Sequence, residues 1–200
     1  MKIDTLKALK SQPRKEHLLN TAAKLFAEHG YHATGIDTIM RVSGVSKTTL
    51  YKYFCSKEEL ILEVLSRRHE ELMQLFSDYV EESRLSSPGI AEEEHVLAIF
   101  DALHDWINGG CFYGCNFIKA SAEYTDPDDP INVVSAAHKK VLSKFIAKLL
   151  SDRPSTRNRE LADQILMILD GAIIAAHVCH DKKAVIKAKP IVWALLGSSL

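Results

Sequence analysis

The chain is poor in the signatures that announce catalysis. It contains no GxSxG, P-loop, GxGxxG or HExxH pattern, hence no nucleophile elbow, phosphate cradle, dinucleotide turn or zinc-protease helix. An enzyme is not expected. The four cysteines (Cys55, Cys111, Cys115 and Cys179) form no CxxC pair, so a zinc ribbon or redox dithiol is not the organising principle. Cys111 and Cys115 stand one helical turn apart, and His177, Cys179 and His180 gather near a helix end. Small thiols packed in helices are far commoner than metal ligands, so no metal and no cofactor is expected. Neither a signal peptide nor an uncharged apolar run of about 18 residues is present. The expectation is a soluble, cytoplasmic protein with reduced thiols and no membrane partner. Strand-period segments, internal repeats and low-complexity tracts are also missing, and helical periodicity runs almost throughout. The fold class is therefore all-α.

What is present is concentrated in Thr34–Tyr53, TGIDTIMRVSGVSKTTLYKY. It reads as two short helices joined by a tight turn at Ser43-Gly44-Val45, with Ser46 placed to cap the second. Ile36, Ile39, Met40, Val45 and Leu50 pack the pair together. The rest of the second helix shows Lys47, Thr48, Thr49, Tyr51, Lys52 and Tyr53, side chains suited to phosphates and base edges. This is the helix-turn-helix shape, whose second helix enters the major groove of DNA. A solvated helical hairpin satisfies the same spacing.

Net charge is only −1, but it is unevenly placed. Residues 1–57 carry ten Lys and Arg against four Asp and Glu, a net +6 that leaves −7 for residues 58–200. A basic head on an acidic body fits a partner of phosphates at one end only. Residues 1–12 read as a flexible arm, 13–58 as the helix-turn-helix domain, and 59–200 as a larger helical domain.

The flanks sharpen this reading. Leu18, Ala22, Leu25 and Phe26 recur at helical spacing before Gly30, and Ser56-Lys57-Glu58-Glu59 is a capping box opening a long amphipathic helix. The words AAKLFAEHGYHAT (Ala22–Thr34), GVSKTTLYKYF (Gly44–Phe54) and SKEEL (Ser56–Leu60), in this order, resemble the DNA-binding domain of the TetR family of transcriptional regulators. Departures from the family pattern are Gly35, Met40 and Tyr53. The resemblance implies double-stranded operator DNA as partner, with Lys47, Thr48 and Thr49 in the groove. Tyr51, Lys52, Tyr53 and Lys57 would then meet phosphates, and Thr34 would reach the backbone from the start of the preceding helix. Cys55 follows the recognition helix, in no environment that would lower its pKa.

From Ser56 an apolar stripe continues to Ser86-Ser87-Pro88-Gly89, predicting one helix of about 27 residues, roughly 40 Å long. Helices are expected over Ala91–Ile107, over most of Cys111–Tyr124, from Pro130 to Pro154, over Asn158–His180 and over Lys182–Leu196. The block Gly110–Pro130 resembles a subgroup carrying GC…N…AE…DPDxP, which implies no single ligand.

In the family the last two helices build a four-helix bundle with a second copy, which would place Leu161, Ile165, Ile168, Ala172 and Ala176 at a homodimer interface. A small, mostly apolar effector is expected among the helices beyond Leu65. Phe100, Trp106, Tyr113, Phe117 and Phe145 are candidate walls, and Asp170 and His177, seven residues apart on one helix face, are polar anchors. The function implied is a repressor released from a near-palindromic operator by that effector. The alternatives are a constitutive DNA-binding protein and a regulator controlled by a protein partner.

Overall fold

The computed structural model describes residues 2–151 and 155–197, with side chains from residue 13 onward. Among the described residues it is helical without a strand. The helices are α1 (Lys2–His29), α2 (Ile36–Ser43), α3 (Lys47–Tyr53), α4 (Lys57–Ser86), α5 (Leu97–Asn108), α6 (Asn116–Glu123), α7 (Pro130–Leu150), α8 (Thr156–Val178) and α9 (Ala184–Gly197). A 3-10 turn, Glu92–Val96, leads into α5.

The chain divides into two compact units. The first holds the residues up to Arg68 together with Asn116–Ser135. Its core gathers Leu18 and Phe26 of α1, Tyr31, Ile39 of α2, Leu50 of α3 and Leu60 of α4, all fully buried, with Tyr31 stacked on Phe26 at 5.2 Å. Three helix ends around the turn are closed by local devices. Gly44 ends α2 in the left-handed region (φ 67), the conformation that lets the next helix depart sharply. Ser46 accepts the N–H of Thr49 at the start of α3, and Ser56 accepts that of Glu59 at the start of α4.

The second unit holds His69–Cys115 and the residues from Ala136 on. Here α8 packs on α9 and α9 on α5, around Ile99, Phe100, Leu103, Ile165, Leu169 and Val192. His69 of α4 and His138 of α7 meet Nδ1 to Nδ1 at 2.8 Å. An 18-residue stretch of the 23-residue α8 has a mean hydropathy of 1.6, so by length and composition the helix could cross a membrane. Here it carries Asp163 and Asp170 and buries its inner face on α9 instead.

Four expectations need correction. Residues 1–12, read as a flexible arm, continue α1 back to Lys2, with Pro13 inside the helix; the arm's side chains lie outside the described residues. The division expected after residue 58 falls instead at Arg68, inside α4, and the first unit also takes in α6 and the start of α7. Residues 111–115 are not helical: Gly110 (φ +82) and Gly114 (φ +84) adopt backbone angles a right-handed helix excludes, so α6 starts only at Asn116. The helix expected from Ala91 opens as a 3-10 turn over three successive glutamates. Pro154, expected to end α7, lies outside the described residues.

Candidate nucleic-acid interface

The helix-turn-helix is held from behind. His17 Nε2 of α1 lies 3.0 Å from the Ser43 carbonyl at the turn, and Ser43 Oγ accepts the N–H of Val45. With the turn secured, α3 points Leu50 into the core and leaves Lys47, Thr48, Tyr51 and Lys52 exposed. Lys47 Nζ lies 6.0 Å from the centre of the Tyr51 ring, one turn along. Thr49 is half-buried, its hydroxyl 2.9 Å from that of Ser46. Tyr53 is half-buried and meets the Phe54 ring edge-on at 6.5 Å. Lys57, at the start of α4, reaches the His32 carbonyl at 3.4 Å.

Thr34 is not on this surface. It is buried, its hydroxyl 2.7 Å from the Gly30 carbonyl and 3.2 Å from that of Leu25. The side chain expected to reach a phosphate closes the end of α1 instead. At Cys55 the hydrogen bond with Glu59, and that group's charge, push the thiol pKa up, the opposite of what a reactive sensor thiol needs.

The first unit also contains a clasp that sequence reasoning missed. Glu123, at the end of α6, accepts the N–H of Tyr31 through Oε1 at 2.9 Å and that of His32 through Oε2 at 2.6 Å, with the His32 ring 3.0 Å away. Tyr124 stacks on that ring at 4.7 Å. Lys119, one turn earlier, donates to the Ala27 carbonyl at 2.8 Å, and the Tyr31 hydroxyl donates to the Asn116 carbonyl at 3.2 Å. Burial raises the pKa of Glu123, but the N–H groups of His32 and Tyr31 and the His32 ring outweigh it and hold the carboxyl below its ordinary range. Gly30 makes the close approach possible, since at φ +87 a Cβ there would stand 2.8 Å from Glu123 Oε1. The available signal was the glutamate of the GC…N…AE block, legible as a pattern but not as a partner of the turn after α1.

The effector candidates scatter. Phe100 is fully buried and Phe117 almost so, and neither lines a described cavity. Phe145 is half-buried and lines none of the described cavities. Asp170 does not join His177, because its carboxylate pairs with Lys139 of α7. Tyr113 and His177 do come together, on the wall of a groove of about 320 Å³, and Trp106 stands one ring away, edge-on to Phe112 at 5.1 Å.

The interface candidates lie mainly on the inner side of α8. Leu161, Ile165, Ala172 and Ala176 are buried within the protomer, and Ile168 is half-buried. The exposed side of α8 instead carries Met167, Ile174 and Val178, and α9 exposes Ile186, Ile191 and Trp193.

Residues 18–64 match the family described as bacterial regulatory proteins, tetR family. The HTH-type transcriptional activator FasR of Mycolicibacterium smegmatis is 47% identical over 60 residues, 30% of this chain and 27% of that protein. The HTH-type transcriptional repressor NemR of Escherichia coli is 27% identical over 112 residues, 56% of this chain and 54% of that one. Both matches thus span well under two thirds of the relative. A crystal structure of a TetR-family transcriptional regulator from Streptomyces coelicolor superposes with a TM-score of 0.81 at 29% identity, covering 99% of this chain and 96% of that one. The helix-turn-helix thus matches the tetR family of bacterial regulatory proteins in sequence, and the helical chain as a whole matches a TetR-family transcriptional regulator almost end to end in shape.

Proposed function

We propose that the protein is a cytoplasmic, ligand-responsive repressor. As a homodimer it holds a near-palindromic operator through two copies of α3 and releases it when a small molecule binds the larger helical unit. The observation that carries the reading is the outer side of α3, where Lys47, Thr48, Tyr51 and Lys52 are exposed on a helix fixed from behind by the capped turn. The +6 charge of residues 1–57 supports it, since lysines placed against phosphates release counterions.

Dimerisation is proposed through the outer sides of α8 and α9. Among the described residues, six of the twelve exposed large hydrophobic side chains lie on these two helices, and a second copy would remove them from water. Two-fold symmetry in the protein then predicts two-fold symmetry in the site.

Selection of duplexes from a random library, followed by footprinting, tests the reading. The expected result is enrichment of an inverted repeat protected on both half-sites. Enrichment of a lone half-site, or of nothing, would sink it. Screening the protein–operator complex for release by small molecules separates an inducible regulator from a constitutive one.

A further inference from the structure

We propose that the groove formed by the end of α5, the Cys111–Cys115 loop and the end of α8 binds a small aryl or arylalkyl carboxylate. This rests on reading the larger unit as the ligand-sensing part and specifies the chemistry of what it senses.

The groove has two kinds of wall. Ile107, Phe112 and Tyr113 supply apolar and aromatic surface, and the rim carries two imidazoles, His177 and His180, and one ammonium, Lys182. No carboxylate lines it. The acid next in sequence, Asp181, is already engaged, accepting Lys187 Nζ at 2.6 Å and the N–H of Lys183 at 3.0 Å. The C-terminal end of α8 would oppose an anion, but the Ala175 carbonyl there already accepts the N–H groups of Cys179 and Asp181. Among the lining residues Lys182 is therefore the one formal charge.

The geometry is built rather than incidental. Phe112 stands edge-on to His177 at 6.3 Å and to Trp106 at 5.1 Å, making a short aromatic ladder beside the opening. The loop passes flush against the imidazole: a Cβ at Gly114, where φ is +84, would stand 2.9 Å from His177 Cγ. His180 adopts φ 53 just past the end of α8, a left-handed position usually given to glycine or asparagine. The chain keeps a strained histidine where an unstrained glycine would end the helix, and that histidine lines the groove.

Size and charge narrow the occupant. About 320 Å³ is at the small end for ligand sites and takes one ring with a short arm. With Lys182 as its one formal charge, the rim balances a singly charged carboxylate better than a phosphate, which carries nearly two negative charges. The ring would lie among Phe112, Tyr113 and Ile107, with the carboxylate toward Lys182.

Isothermal titration of the full chain, without DNA, with benzoate, phenylacetate and 3-phenylpropanoate and with their neutral amides tests the proposal. At least one acid should bind saturably, its amide about tenfold more weakly, as expected for loss of a charge-assisted hydrogen bond. Lys182→Gln, at an exposed position, should weaken the acid about tenfold and leave the amide unchanged, and Phe112→Leu should weaken both. The proposal is overturned if no acid binds, if acid and amide bind alike, or if Lys182→Gln binds the acid as the parent does. An acid that binds as expected yet leaves operator affinity unchanged would keep the site and remove it from the regulation proposed above.

Discussion

Glu123 is a single side chain that ties two distant stretches of the first unit together. One carboxylate takes two consecutive backbone N–H groups left over at the turn after α1, an arrangement that stabilises the charged form. Replacing it by glutamine keeps one acceptor and loses the charge, a change expected to cost about 1–2 kcal/mol of unfolding free energy in urea titration. Because the folded pKa is depressed, this stabilisation is complete above the ordinary glutamate pKa and is lost as pH falls through the depressed value. Stability measured against pH should thus bend downward below the ordinary carboxylate range, and Glu123→Gln should flatten part of that bend. An unchanged acid limb in the variant would mean that other carboxylates carry it. Gly30→Ala should cost about 1–2 kcal/mol from the left-handed backbone alone, more if Glu123 is forced aside, read as a lower melting temperature. At this scale the sequence was least legible. Thr34 and Glu123 are both polar residues near the turn. Nothing in their spacing tells that the first closes its own helix while the second reaches back across 91 residues to His32.

At the scale of elements the sequence spoke more clearly, because caps and periodicity are local. Ser46, Gly44, Ser56 and Pro130 stand at the ends they predict. The exposed side of α3 leads to a direct prediction. Lys52→Ala should weaken binding to every duplex alike and lower the slope of log affinity against log salt by about one, as measured by fluorescence anisotropy. A change in preferred sequence with the slope intact would move Lys52 from phosphate to base edge. Helix α8 shows the limit of periodicity. It is apolar around so much of its girth that its pattern does not say which side meets its own core and which a second copy. Burial separates the core side from the outer one, and on the dimerisation proposed above Ile174→Glu should give a folded monomer in sedimentation equilibrium, whereas Ala172→Glu should lower stability in monomer and dimer alike. A dimer that survives Ile174→Glu would place the interface on another surface.

At the scale of the whole molecule, the two units are not two consecutive stretches of chain. The polypeptide leaves the first unit inside α4, returns to it at Asn116, and leaves it again inside α7. The residues that close the turn behind the DNA-reading pair arrive on that second visit. For protein engineers this sets a rule about where such regulators can be cut and rejoined. A hybrid made by grafting the first 58 or 68 residues onto a foreign sensory body would inherit the reading helix but leave Tyr31 and His32 without the carboxylate they donate to. To transplant the operator specificity proposed for this chain with its scaffolding intact, a graft must carry the stretch from Asn116 to Ser135 as a second, separate insert.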